Sequence, residues 1–245
     1  DSLLIQTSSM LISEEPEYSK LAARLLTNFI DKEVSLNGIS SFSQSIEKGF
    51  QSGLISKTVQ DFVSSHSHQL DSAIMEERCD LFEYFGLQTT YDRYLLKDPQ
   101  NRTVIESSQF FFMRVACGLA SNIEEALDFY KLISSFQYMP STPTLFNSGT
   151  NHPQMSSCYL LDSPEDSLEA IYGKYTDIAL LSKYAGGIGV GFSRVRSRGS
   201  LIKGTNGKSN GIIPFLKTLD SSVSAVNQGG KRKGAACIYL ETWHA

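Results

Sequence analysis

Ser156-Ser157-Cys158 stands directly before the apolar run Tyr159-Leu160-Leu161. A cysteine at the mouth of a buried strand can present its sulfur to a cleft, as a redox thiol or a nucleophile. On spacing alone the inert reading of Cys158 is favoured, because an unpaired cysteine usually behaves as a small hydrophobe. A second segment is the glycine run Tyr184-Ala185-Gly186-Gly187-Ile188-Gly189-Val190-Gly191. It resembles a dinucleotide-binding loop but has Phe192 where the third glycine of that motif belongs. Phosphate binding and close backbone packing are equally open readings of it.

Gly204-Thr205-Asn206-Gly207-Lys208-Ser209 carries the Gly-Lys-Ser end of a phosphate-binding loop. The motif's leading glycine would fall at Ile202, and no strand is expected before it, so a nucleotide hydrolase of that type is disfavoured. Cations gather nearby: Arg194, Arg196, Arg198, Lys203 and Lys208, then Lys231, Arg232 and Lys233 inside the loop Gln228 to Gly234. One such cluster is usually a solvated face. Two in an acidic chain point to a small anionic ligand, since glycines beside cations suit a loop that closes on phosphate.

The elements that must position these groups differ along the chain. Up to residue 137 the pattern is helical. Ser13 is expected to cap a helix bearing Leu21, Leu25 and Phe29, with Leu26 and Ile30 beside them. Phe42, Ile46 and Phe50 repeat the spacing up to a stop at Gly53. A capping box of Ser121 and Glu124 precedes Ala126, Phe129, Ile133 and Phe136. From Met139 onward Pro140, Pro143, Gly149 and Pro153 mark turns. Tyr159-Leu160-Leu161 and Cys237-Ile238-Tyr239-Leu240 suit buried strands. Helical patterns at about 167–184 and 211–226 lie between them, the second with Leu216, Leu219, Val223 and Val226 on one side. Strands alternating with helices imply a parallel α/β arrangement. The expected domains are therefore 1–137, helical, and 138–245, α/β.

Composition narrows the function. The 245 residues are 41% hydrophobic, enough for a substantial core, and the net charge of -4 argues against a nucleic-acid coat. No apolar run reaches the roughly 18–20 residues that cross a bilayer. Asp1 to Ser9 has neither the basic start nor the cleavage site of a signal peptide, and the missing initiator Met suggests a fragment or a processed form. Cys79, Cys117, Cys158 and Cys237 are widely spaced, which fits a reducing cytosol and no metal site; His152 and His244 also lack partners at metal spacing. Cys79, Cys117 and Cys237 are read as structural.

One resemblance goes further. Pro140-Ser141-Thr142-Pro143-Thr144-Leu145-Phe146-Asn147-Ser148-Gly149-Thr150, then Pro153-Gln154-Met155-Ser156-Ser157-Cys158, resembles the start of the catalytic barrel in class I ribonucleotide reductase large subunits. The likeness continues through Asp166-Ser167-Leu168, Ser182-Lys183, Ala185 to Gly189, Gly204 to Gly207 and Gln228 to Arg232. It ends on Tyr239-Leu240-Glu241-Thr242-Trp243-His244. It implies a helical N-terminal domain followed by the first part of a ten-stranded α/β barrel. It implies radical-based reduction of ribonucleotides to deoxyribonucleotides.

In that family a cysteine thiyl radical removes the ribose 3′ hydrogen, and a cysteine pair supplies two electrons as the 2′-hydroxyl leaves as water. The match makes Cys158 one member of the pair, its partner lying outside the chain. Thr142, Ser157, Cys158 and Arg232 match substrate-binding positions. Asp166, Ser167, Leu168, Lys183, Arg196, Lys203 and Gly204 match an allosteric specificity site for ATP or deoxynucleotide effectors at a dimer interface. The loop from Gln228 would couple the two sites.

The resemblance also implies a cytoplasmic homodimer, a small metal-containing subunit that supplies the radical, and reduction by thioredoxin or glutaredoxin. No cofactor bound directly, no nucleic acid and no membrane are expected. The radical cysteine lies beyond Ala245, so the chain alone is expected to have no turnover. Two other readings stay open: a cobalamin-dependent reductase with the same barrel, and a non-catalytic nucleotide-binding module.

Overall fold

The computed structural model describes residues 2–183, 186–226 and 234–245. The chain divides into two compact units, Asp1–Met155 and Ser156–Ala245.

The first unit is helical: α1 (Ser2–Met10), α2 (Tyr18–Leu36), α3 (Phe42–Gln51), α4 (Lys57–Ser65), α5 (Ser67–Ser72), α6 (Tyr84–Thr89), α7 (Ser108–Leu119), α8 (Ile123–Ser134) and α9 (Thr142–Asn147). A 3-10 segment, Glu76–Leu81, joins α5 to α6. The most enclosed element is α7, where Ser108, Gln109 and Phe111 through Cys117 are all buried. The other helices bury one stripe each against the common core.

Three local expectations shift. Helix α2 starts at Tyr18 rather than after Ser13, and it buries Ala22, Ala23, Leu26, Ile30 and Val34 while Leu21 faces solvent. Leu26 and Ile30, expected beside the stripe, lie at its centre, while Leu25 and Phe29 are half-buried. The cap of α8 is Asn122, whose Oδ1 accepts from Glu125 N at 3.0 Å; Glu125 returns a carboxylate to Ser121 N at 2.8 Å. The reciprocal pairing is the expected one, moved along by one residue. Ser41 caps α3, and Gly53 at φ +73° ends that turn as expected.

The division after Met155 falls later than the 137/138 boundary read from turn residues. Helix α9 and the turn after it are tied to the helical core. Arg114 Nη1 donates to Ser148 O at 2.7 Å, Ser148 Oγ to Val115 O at 2.8 Å, and Ser56 N to Gly149 O at 3.1 Å. A Cβ on Gly118 would stand 2.2 Å from Gly149 N, so α7 and this turn meet backbone to backbone.

The second unit is α/β. Its elements are β1 (Cys158–Leu161), α10 (Leu168–Lys183), β2 (Gly187–Gly191), β3 (Arg198–Ile202), β4 (Gly207–Asn210), α11 (Ile213–Ala225) and β5 (Ala236–Tyr239). Strands β1, β2 and β5 form a parallel sheet with β2 in the middle; β3 and β4 form a separate antiparallel pair. The parallel arrangement agrees with the strand-helix alternation. On one face of the sheet Ile188 and Val190 are buried with Ile171, Tyr175 and Ile178 of α10 and with Leu219 and Val223 of α11. Leu160 and Tyr239, on the opposite face, are exposed.

Candidate functional site

The glycine run forms the middle strand. Gly187 and Gly189 pair with Cys158 and Leu160 on one side, and Gly189 and Gly191 pair with Cys237 and Tyr239 on the other. Side chains alternate across a strand, so Gly187, Gly189 and Gly191 share the face that carries Cys158, Leu160, Cys237 and Tyr239. Glycine is needed for space at the middle of the run. A Cβ at Gly189 would sit 2.9 Å from both Leu160 Cδ1 and Tyr239 Cε2, and one at Gly187 would lie 3.5 Å from Cys158 Sγ. Close packing is therefore the reading that holds for Gly187–Gly191, and this strand is not a phosphate loop.

The result is a shallow trough of about 420 Å³, floored by backbone and walled by Cys158, Leu160, Cys237 and Tyr239. The Cys158 thiol is exposed there. Cys237 is exposed too, on the same face, which departs from its reading as a buried structural cysteine. The two cannot form a disulfide without backbone movement. They lie on strands two spacings apart and two residues out of step, a separation of roughly 11–12 Å against a limit near 7 Å. Ser157 is half-buried, and its carbonyl accepts from Gly187 N at 2.8 Å.

Thr142 belongs to the helical unit. It opens α9, and its Oγ1 lies 3.3 Å from the Tyr94 hydroxyl. Tyr94 itself stacks on Phe146 at 4.5 Å between centroids. Tyr94 was missed in the sequence because its signal, an aromatic from a distant helix, appears only once the chain has folded. Arg232 and the loop residues 228–233 lie outside the described residues, as do Tyr184 and Ala185.

The other candidate cluster surrounds the start of α10. Ser167 Oγ accepts from Ala170 N at 3.2 Å and so caps that helix. Asp166 is clamped by Arg196, whose Nε donates to Oδ2 at 2.7 Å and whose backbone N donates to Oδ1 at 3.2 Å. Arg196 also reaches Leu201 O at 3.0 Å, which ties this clamp to the β3–β4 hairpin. Leu168 is 63% exposed beside them. Lys203 and Gly204 stand exposed in the hairpin turn, where Asn206 takes φ +54°. Contrary to expectation, a strand, β3, precedes the Gly-Lys-Ser string, but the string leads into β4 and not into a helix, so it forms a hairpin and not a hydrolase loop.

The cations are not all available to an anion. Arg194 is held by Asp162 at 2.7 Å and Glu165 at 3.3 Å. The Ser163 N–H, and then Arg194, hold the Asp162 carboxyl below the usual carboxylate range. Among the described residues Lys203 and Lys208 make no ion pair. Lys183 ends α10, fifteen residues after Leu168, so it stands roughly 22 Å along the helix from the Asp166–Leu168 segment. Within one chain the structure brings Asp166, Ser167, Leu168 and Arg196 together and leaves Lys183 apart.

Comparison with known proteins accounts for both units. Residues 80–153 match the ribonucleotide reductase all-alpha domain and residues 156–245 match the ribonucleotide reductase barrel domain. The chain belongs to the ribonucleotide reductase family. More narrowly, it is 44% identical to the ribonucleoside-diphosphate reductase subunit alpha of Chlamydia trachomatis, over 95% of this chain and 23% of that protein. It is 42% identical to the ribonucleoside-diphosphate reductase large chain of Cryptosporidium parvum and 40% identical to the large subunit from Arabidopsis thaliana, each over 100% of this chain and 31% of the relative. The chain thus spans 23–31% of the length of these relatives, and its second unit is the start of a barrel domain.

Proposed function

We propose that this chain is part of the large, catalytic subunit of a ribonucleoside-diphosphate reductase, and that Cys158 is one of the two thiols that reduce the substrate. The observation that carries this reading is the exposed Cys158 thiol at the head of β1, seated over the side-chain-free Gly187. A dithiol delivers two electrons by closing a disulfide, while the ribose 2′-hydroxyl leaves as water. The spacing from Cys237 supports a partner for Cys158 elsewhere in the longer subunit. Thr142 and Ser157 offer hydroxyl donors for substrate phosphate oxygens, and Arg232 is assigned the same substrate. The complete barrel would have ten strands, of which β1, β2 and β5 are the first members.

The Asp166–Leu168 segment, Arg196, Lys203 and Gly204 form the effector site for ATP or deoxynucleotides. Asp166 is oriented by Arg196 toward the nucleoside, and Lys203 is free to meet phosphate. The distance to Lys183 supports a site completed by a second copy of the subunit, as a homodimer requires. The relatives' names, large chain and subunit alpha, support a smaller partner, assigned here as the metal-bearing source of the radical. Thioredoxin or glutaredoxin would regenerate the thiols, in the cytoplasm. No helix among the described residues is long and apolar enough to cross a membrane.

The test uses the full-length subunit with its small partner. Cys158→Ser should abolish nucleotide reduction while effector binding stays intact. Arg196→Ala should weaken effector binding roughly 10- to 100-fold, the loss of a charged hydrogen-bonding group. Full activity in the Cys158 variant would refute the assignment.

A further inference from the structure

The helical unit contains a cleft that the proposed reaction does not use. It has a volume of about 560 Å³ and lies among α2, the Glu76–Leu81 segment and the start of α7. This is within the size range of small-molecule sites. Its rim is acidic. Asp31 of α2 and Glu76 have no basic partner among the described residues, and the cleft's Arg24 is already bound to Asp80 at 3.1 Å. Asp31 keeps part of its surface in solvent, yet the chain packed around its carboxyl, and then Glu76, push its pKa up to about 6.

Inside the cleft lies a second, independent feature. Gln109 lines it and is only 1% exposed. Its Oε1 accepts from the Tyr130 hydroxyl at 2.8 Å, and that hydroxyl in turn accepts from Met75 N at 3.0 Å, which leaves its proton for the amide oxygen. The Gln109 Nε2 makes no hydrogen bond of ordinary geometry, and the Cys79 sulfur near that amide is only a weak acceptor. A buried amide N–H2 with no good acceptor is costly and uncommon in a folded protein. Beside it the Cys79 thiol rests 3.4 Å from Ser108 Oγ.

We infer that this cleft binds a small organic cation that also carries an oxygen acceptor. The ligand's cationic N–H groups face Asp31 and Glu76, and its oxygen accepts from Gln109 Nε2. This site is separate from the trough at Cys158 and from the Asp166 cluster, and it stands whether or not the proposed reaction is correct.

Three probes separate the requirements: argininamide has cation and carbonyl, agmatine has the cation without the carbonyl, and acetamide has the carbonyl without the cation. Calorimetry on the 245-residue chain should show argininamide binding at least 10-fold more tightly than either of the others. Asp31→Asn should weaken argininamide and agmatine alike. Gln109→Met should erase the preference for argininamide over agmatine. A readout free of variants comes from Cys79 at the cleft wall. Bound argininamide should slow its alkylation several-fold, by mass spectrometry, and leave Cys158 and Cys237 unchanged. No binding of argininamide to the folded chain, equal binding of the three probes, or unaltered Cys79 alkylation at saturation would overturn the inference.

Discussion

Replacing Arg114 with Met should destabilise the helical unit while sparing the other. Arg114 and Glu106 are 0% and 1% exposed at the side chain, with paired contacts of 2.9 Å from Nε and Nη2 to the two carboxylate oxygens. The remaining donor, Nη1, holds Ser148 O at 2.7 Å, and Glu106 also accepts from Leu96 N at 2.8 Å. Methionine fills similar space but leaves the Glu106 carboxylate buried with one donor and Ser148 O without its partner. Breaking a buried pair from one side costs about 3–5 kcal/mol. Against a typical domain stability of about 5–15 kcal/mol, that removes about a fifth or more. For a unit of this size it lowers Tm by roughly 6–20 °C. The two units can be followed separately. Circular dichroism at 222 nm reports mainly the helical unit, and the chain's single tryptophan, Trp243, reports the second by fluorescence. Adding Glu106→Leu should recover part of the loss, because the stranded charge is gone. A loss below about 1 kcal/mol, or a double variant less stable than the single one, would refute the reasoning that the stranded charge dominates.

The remaining expectations concern titration, packing and thiol access. Asp31 has a folded pKa of about 6 against an ordinary value of 3.8, so the fold favours its protonated form and stability falls as pH rises from 4 through 6. Asp31→Asn should therefore stabilise the chain at pH 8 by about 1 kcal/mol, discounted for solvent screening, and change nothing at pH 3.5, read by urea unfolding. Gly189→Val places atoms where Leu160 and Tyr239 already stand; it should cost about 1–3 kcal/mol and shift the Trp243 transition first. Burial pushes the Cys117 thiol up to about 12 and raises Cys79 as well, so Ellman titration of the folded chain should label Cys158 and Cys237 first and Cys117 only on unfolding.

The parallel core of the second unit was legible because Tyr159–Leu161 and Cys237–Leu240 are short apolar runs separated by helical periods. Two kinds of information were not legible. Strand β2 hides behind its glycines: a strand with side chains on one face only shows neither alternation of apolar and polar residues nor a continuous apolar run. Strands β3 and β4, Arg-Gly-Ser-Leu-Ile and Gly-Lys-Ser-Asn, are polar because they form a two-stranded arm away from the main sheet, where periodicity carries little signal. In the helical unit the existence of elements was clear, but which stripe of α2 is buried depended on neighbours far along the chain. Of the candidate site, Cys158 and the Asp166–Leu168 segment were proposed from motif likeness, while the Asp166–Arg196 clamp and the Tyr94–Thr142 contact join residues that only folding brings together.

The bare floor of the trough has a consequence for how this surface can change over generations. Because Gly189 leaves only main-chain atoms at the middle of β2, and Leu160 and Tyr239 already lean over that space, the centre of the trough cannot acquire a new side chain without displacing them. Its chemistry can be retuned only from the flanks, at residues such as Leu160, Cys237 and Tyr239, while the middle strand stays a fixed ruler against which the reach of the Cys158 sulfur is set.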